Sequence, residues 1–212
     1  MIELYYWPTP NGQKIAILLE ELGIPYQLFP IDIRQGEQFQ PDFLRISPNN
    51  RIPAIVDREP VDGGEPISLF ESGAILLYLA EKHQRFLPAD RRGRKTVLEW
   101  LFWQVGGLGP MAGQNHHFRG AAPEKIPYAI ERYTQETARL YRVLNQQLET
   151  REYIAGEYSI ADMACYPWIV PHDRQAQRLE DFPHIQRWFH QIQNRPAVQQ
   201  AYEKGNVLTA VR

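Results

Sequence analysis

Ser47-Pro48-Asn49-Asn50-Arg51-Ile52-Pro53-Ala54-Ile55-Val56-Asp57, followed by Ile67-Ser68-Leu69-Phe70-Glu71-Ser72-Gly73-Ala74-Ile75, decides how the first part of the chain folds. Ala54 to Asp57 and Ile67 to Phe70 are short runs rich in β-branched and apolar residues, which reads as two strands. A turn-rich stretch around Asp62-Gly63-Gly64 separates them. Ser72 to Lys82 is strongly apolar and reads as a helix that follows the second strand directly.

Upstream of these, Ile2 to Trp7 is aromatic and β-branched, as a strand prefers. Pro10 and Asn11 open a helical pattern with Ile15, Leu18, Leu19 and Leu22 on one face. Gly23 ends it as a helix C-terminal glycine would. Tyr26 to Ile33 reads as a second strand and Gln38 to Ile46 as a short helix. The order β-α-β-α-β-β-α is an α/β sandwich with a mixed sheet.

From about Arg92 strand signals disappear. Thr96 to Gln114 is helical, and Ile126 to Leu148 repeats apolar residues at helical spacing. Ser159 starts another helix, and Pro183 and Pro196 each open a short one. The segment Asn206 to Arg212 is left without an assignment. The expected organisation is an α/β domain over residues 1–84, a linker over 85–91 where Pro88 and clustered charge break the pattern, and an all-helical domain over 92–212.

The chain has 212 residues, 43% of them hydrophobic and 23% charged, enough apolar material for a packed core. A net charge of −2 gives no electrostatic drive toward nucleic acid or anionic lipid. No apolar run has the length of a membrane span, and Ile15 to Leu19 is followed at once by Glu20 and Glu21, unlike a signal peptide. The one cysteine, Cys165, allows no internal disulfide and no CxxC pair. A reducing, cytoplasmic location is the expectation.

Three motifs carry chemistry. Ile52-Pro53 precedes a short strand in an α/β domain. A cis bond there would hold the Ile52 backbone open to an extended peptide, whereas a trans proline would merely start the strand. Glu71-Ser72 stands at a strand–helix junction. Ser72 suits a helix N-cap, the free amides suit a carboxylate, and Glu71 suits an ammonium, so together they fit an amino-acid head group. The same pair also reads as a capping serine beside a solvated glutamate. Thr9-Pro10-Asn11 opens the first helix, where a thioredoxin would place its cysteines. A hydroxyl or amide there can hydrogen-bond a thiolate that the helix dipole favours. It also reads as an N-cap with proline in the first turn.

In this order, Pro8 to Gly12, Ser47 to Ala54 and Leu69 to Ile75 resemble glutathione transferase signatures. Ser159-Ile160-Ala161-Asp162 is similar to the capping box of that family's helical domain. Thr9-Pro10-Asn11, with Trp103 to Pro110 and Asn115-His116-His117-Phe118, resembles the bacterial nu class, which is related to the yeast nitrogen regulator. The resemblance covers about residues 1–204. It implies a thioredoxin-like N-terminal domain, an all-α C-terminal domain, a homodimer, and glutathione bound in reduced form or as its disulfide. It assigns Thr9 and Asn11 to the glutathione sulfur, Gln38 and the Ile52 backbone to the cysteinyl-glycine part, and Arg51 to the glycine carboxylate. Glu71 and Ser72 take the γ-glutamyl head, and Arg132 reaches the glutathione of the partner subunit. The reaction implied is disulfide reduction: bound thiolate attacks one sulfur, a thiol leaves, and a second glutathione resolves the mixed disulfide. Conjugation to electrophiles is the alternative, and a regulatory glutathione-binding protein is a further one.

Several residues are set aside. Tyr5 and Tyr6 come too early to activate the thiol. Cys165, in an apolar helix, reads as structural. His116-His117 point apart on a helix and do not make a metal site. Gly106, Gly107 and Gly109 fit either close packing or the approach of glutathione. Trp7, Phe118 and Trp168 fit either the core or a second-substrate pocket.

Overall fold

A computed structural model describes residues 1–211 of the chain, so Arg212, within the unassigned tail, lies outside the described residues. The opening aromatic run forms β1 (Ile2–Tyr6), and Thr9-Pro10 starts α1 (Pro10–Leu22). Gly23 ends α1 at φ 67°, a left-handed conformation in which glycine carries no side-chain penalty. The second strand, β2 (Tyr26–Pro30), stops three residues short of the expected Ile33. Proline donates no ladder hydrogen bond, which suits the end of an edge strand. The expected helix over Gln38–Ile46 is broken into a 3₁₀ turn, Glu37–Phe39, and a short α2 (Pro41–Leu44), because Pro41 can only begin a helix. There follow β3 (Ala54–Asp57), β4 (Ile67–Phe70) and α3 (Ser72–His83).

The sheet order is β2-β1-β3-β4, with β1 parallel to β2 and antiparallel to β3, and β3 antiparallel to β4. This is the mixed sheet the sequence predicts. Leu4, Ile15, Leu18, Ile55, Ile75 and Leu79 are fully buried and form its core. Asp57, also fully buried, accepts from Tyr78 Oη (2.6 Å) and pairs with Lys82, so β3 is tied to α3.

The helical part begins with α4 (Arg91–Trp103), capped by Asp90, whose carboxylate accepts from Arg92 N and Gly93 N. It continues through a π turn (Gln104–Leu108) into α5 (Gly109–His116) and a second π turn (His117–Ala121). Pro110 has no N–H to donate backward, and the wider π turn absorbs that break. Next come α6 (Pro127–Gln147), α7 (Ile160–Ile169) and α8 (Pro183–Gln193). Every residue of α7 is buried. The predicted capping box is present. Asp162 Oδ2 accepts from Ser159 N (3.0 Å) and Ser159 Oγ (3.2 Å), while Oδ1 accepts from Ile154 N (3.0 Å) and Trp188 Nε1 (2.8 Å).

The domain expectation needs one correction. By contacts, one compact unit is Met1–Arg85 together with the segment from Arg195 onward, and the other is Phe86–Asn194. Pro196 opens not a short helix but α9 (Pro196–Val211), which runs into the unassigned tail and packs on α1. Its charges fit that face. Arg195 pairs with Glu21 and Lys204 with Glu20, partners far apart in sequence.

Candidate functional site

Strand register alone assembles the first group of candidate residues. Tyr6 lies opposite Pro30, Tyr5 opposite Ala54, and Ala54 opposite Phe70. The C-terminal ends of β1, β2 and β4 and the N-terminal end of β3 therefore share one end of the sheet. The segments leaving or entering there carry Thr9 and Asn11, Gln38, Arg51 and Ile52, and Glu71 and Ser72. The N-termini of α1 and α3 begin there too.

Thr9 is the N-cap of α1, and its Oγ1 accepts from Gly12 N at 3.3 Å. Since the oxygen is occupied as an acceptor, its own hydrogen is left to donate. Asn11 is half-buried in the first turn of α1. A side chain on Gly12 would come within 2.1 Å of the Trp7 carbonyl oxygen, so only glycine lets the Trp7–Thr9 segment close on that turn. Tyr6 is fully buried, and burial pushes its hydroxyl pKa upward, away from any role in activating a thiol.

Gln38 is 9% exposed. Its Nε2 donates to the Ile33 carbonyl at 3.4 Å, while its buried Oε1 meets no hydrogen-bond partner among the described residues. An orphaned buried carbonyl fits a site completed by a ligand donor. Ser47 Oγ donates to the Arg51 carbonyl at 2.8 Å, and the exposed Arg51 guanidinium donates to Asn50 Oδ1 at 3.2 Å. The Ile52-Pro53 bond is cis.

Glu71 has φ 70° and ψ 113°, a region costly for any residue with a Cβ. It leaves its carboxylate exposed beside the first turn of α3. The sequence reading made Ser72 the N-cap, but Glu71 occupies that position and makes no side-chain cap. Ser72 is instead the first residue of α3, and its Oγ is taken by Lys14 Nζ at 3.2 Å. Lys14 is 1% exposed, and the sequence reading passed over it. The available signal was its spacing: four residues before Leu18, it falls on the apolar stripe of α1, where lysine needs a reason.

Arg132 belongs to the other unit. It is exposed on α6 and lines a groove of about 680 Å³ with Met111, Tyr128, Glu131 and Arg139. Of the residues with two readings, Trp7 and Trp168 are buried and Phe118 stacks on Tyr133. A side chain on Gly109 would run into Gln104 at 2.8 Å, so packing explains that glycine, whereas Gly106 has open space around it. Cys165 is fully buried. Asn115 is structural: its Nδ2 donates to Thr137 Oγ1 and to the Gln175 carbonyl.

Residues 1–81 match the glutathione S-transferase N-terminal domain, and residues 116–196 match the C-terminal domain. The chain is 59% identical to the disulfide-bond oxidoreductase YfcG of Escherichia coli, over 98% of this chain and 97% of that one. The chain belongs to the glutathione S-transferase family. Among glutathione S-transferases of known structure, one from Burkholderia graminis with two glutathione molecules per subunit superposes with a TM-score of 0.89. It is 42% identical, and the match covers 94% of this chain and 86% of that one. One from Pseudomonas putida, with a glutathione disulfide per subunit, also gives 0.89 at 40% identity, covering 94% and 90%. Within the same glutathione S-transferase family, the yeast transcriptional regulator URE2 is 34% identical over 90% of this chain and 64% of its own length. Oxidoreductases of this type and the yeast regulator are the relatives that the motif resemblance implies.

Proposed function

We propose that this glutathione S-transferase binds glutathione at the end of the sheet where Thr9, Asn11, Gln38, Ile52, Glu71 and Ser72 meet, and reduces disulfides with it. The observation that carries this reading is the shared register row Tyr5–Ala54–Phe70, which gathers those segments around two helix N-termini. One glutathione supplies the thiolate nucleophile and a second resolves the mixed disulfide, so the two together supply both reducing equivalents and leave as glutathione disulfide. The protein's part is to hold and ionise it. The Thr9 hydroxyl and the Asn11 amide donate to sulfur, and the start of α1 favours its negative charge. The Gln38 carboxamide and the Ile52 main chain take the cysteinyl-glycine portion, with Arg51 at its carboxylate. Glu71 and Ser72 take the γ-glutamyl head. We further propose a homodimer in which Arg132 serves the partner's site, and action in the reducing cytoplasm. No helix among the described residues is long and apolar enough to cross a membrane.

The first test is steady-state kinetics with glutathione against a small disulfide and an aromatic halide in parallel. Catalytic efficiency should be higher for the disulfide, because Thr9 stands where stronger thiol activators serve conjugation. The reverse ranking sinks the reductase reading in favour of conjugation. Absence of turnover with both supports a binding role like that of the related yeast regulator.

A second expectation concerns the thiol. Free glutathione-type thiols ionise near about 8.5, and the bound one should ionise roughly one pH unit lower or more, equivalent to about 1.4 kcal/mol. Donors stabilise the anion, so the pKa falls. Thr9→Ala and Asn11→Ala should each raise it part of the way back. Ultraviolet difference absorption during a pH titration of the binary complex follows the thiolate, and titration like the free thiol removes the role of both residues. Cys165→Ser should leave the rate intact.

A further inference from the structure

Building on the proposed glutathione site, we infer that Lys14 is its hidden positioning residue: through Ser72 it makes the site select ligands whose γ-glutamyl head carries a free α-carboxylate. The argument begins with valence. A lysine ammonium has three donors and no acceptor. In the Lys14 Nζ–Ser72 Oγ contact of 3.2 Å the serine oxygen must therefore accept. Its own hydrogen is then directed elsewhere, and Ser72 becomes a fixed donor rather than a hydroxyl free to play either role. An ionised carboxylate is acceptor-only, the complement of that donor.

Position adds to valence. Ser72 is the first residue of α3, a helix of 12 residues, so the unpaired amides of its first turn lie beside the hydroxyl. The third contribution is charge. Lys14 is 1% exposed and Ser72 8%, so the ammonium stands behind the hydroxyl inside the domain, where solvent and salt screen it least. Ammonium, hydroxyl and helix amides act in one direction on an anionic group at this point. Lys14 lies in α1, four residues before the fully buried Leu18. The adjacent Glu71 carboxylate then serves the amino group of the same head, so the two charges of an amino-acid terminus are read by neighbouring residues at the start of α3, one of them backed by Lys14 from α1.

The test is calorimetry on the full chain with two probes: glutathione, and an analogue in which 4-aminobutyrate replaces the γ-glutamyl residue, removing only the α-carboxylate. Wild-type protein should bind glutathione on the order of 10–100-fold tighter than the analogue, the scale of one hydrogen bond to a charged group. Lys14→Met, which keeps the length and removes the charge, should weaken glutathione by a similar factor and leave the analogue nearly unchanged. A Lys14→Met protein that binds both probes more weakly by equal factors overturns the inference, since lysine would then only shape the fold. Unchanged glutathione affinity in Lys14→Met overturns it as well. Should Lys14→Met fail to fold, Lys14→Gln is read by the same contrast, and equal wild-type affinity for the two probes refutes the inference without any variant. Wild-type protein that binds neither probe removes the glutathione reading itself, a result distinct from all of these.

Discussion

Asp162→Ala should lower unfolding stability by about 3–5 kcal/mol, measured by denaturant titration of the purified protein. The carboxylate is fully buried and accepts four hydrogen bonds, from Ile154 N, Ser159 N, Ser159 Oγ and Trp188 Nε1. Alanine leaves these donors inside the helical unit with no acceptor, and each orphaned donor costs about 1–3 kcal/mol before relaxation. The pH dependence gives a second signature. Burial pushes the Asp162 carboxyl up to about 6 in spite of its four donors. Its value in the unfolded chain is about 3.9. A raised value means that the folded state holds the proton more tightly. The contribution of this group is therefore fully present below about pH 4 and is lost as pH rises through about 6. Alanine has no such group, so the stability gap between wild type and Asp162→Ala should widen, by roughly 2 kcal/mol, from pH 7 to pH 4. A variant within about 1 kcal/mol of wild type, or a gap that narrows toward acid, refutes this account.

Glu71→Ala should weaken glutathione binding by roughly 2–4 kcal/mol, because the ligand's ammonium loses its partner. Calorimetry decides it, and an unchanged dissociation constant would make Glu71 a solvated neighbour of the helix. The backbone supplies an independent check. At φ 70° a residue with a Cβ carries a cost of about 1–3 kcal/mol that glycine avoids. Glu71→Gly should therefore lose binding as fully as alanine while unfolding at no lower denaturant concentration than wild type. Improved or equal stability with lost affinity marks strain retained for function.

The start of α1, the two short strands and the Ser159–Asp162 box were legible because each is a local matter of caps, turns and periodicity, whereas the sequence left the Ile52-Pro53 bond open between cis and trans and the structure makes it cis. The candidate site was legible as separate motifs. What united them was register, since Tyr5, Ala54 and Phe70 meet only when the strands pair. The exchange of roles at Glu71 and Ser72 was not readable, because the Ser72 hydroxyl is claimed by Lys14, a partner 58 positions away. The π turn Gln104–Leu108 was read as plain helix because periodicity over Thr96–Gln114 does not separate 3.6 residues per turn from a single widened turn. The destination of the last helix was missed because its charge partners, Glu20 and Glu21, stand near the beginning of the chain.

That last helix has a consequence for how the protein is made. The unit that begins at Met1 is completed by the segment from Arg195 onward, so the whole of Phe86–Asn194 leaves the ribosome in between. At translation speeds of about 5–20 residues per second, the nascent sheet waits on the order of 5–20 s with the α9-facing side of α1 uncovered. During that interval the buried acids Glu20 and Glu21 lack Lys204 and Arg195, and a holdase that covers that side would meet it before the chain's own last helix does.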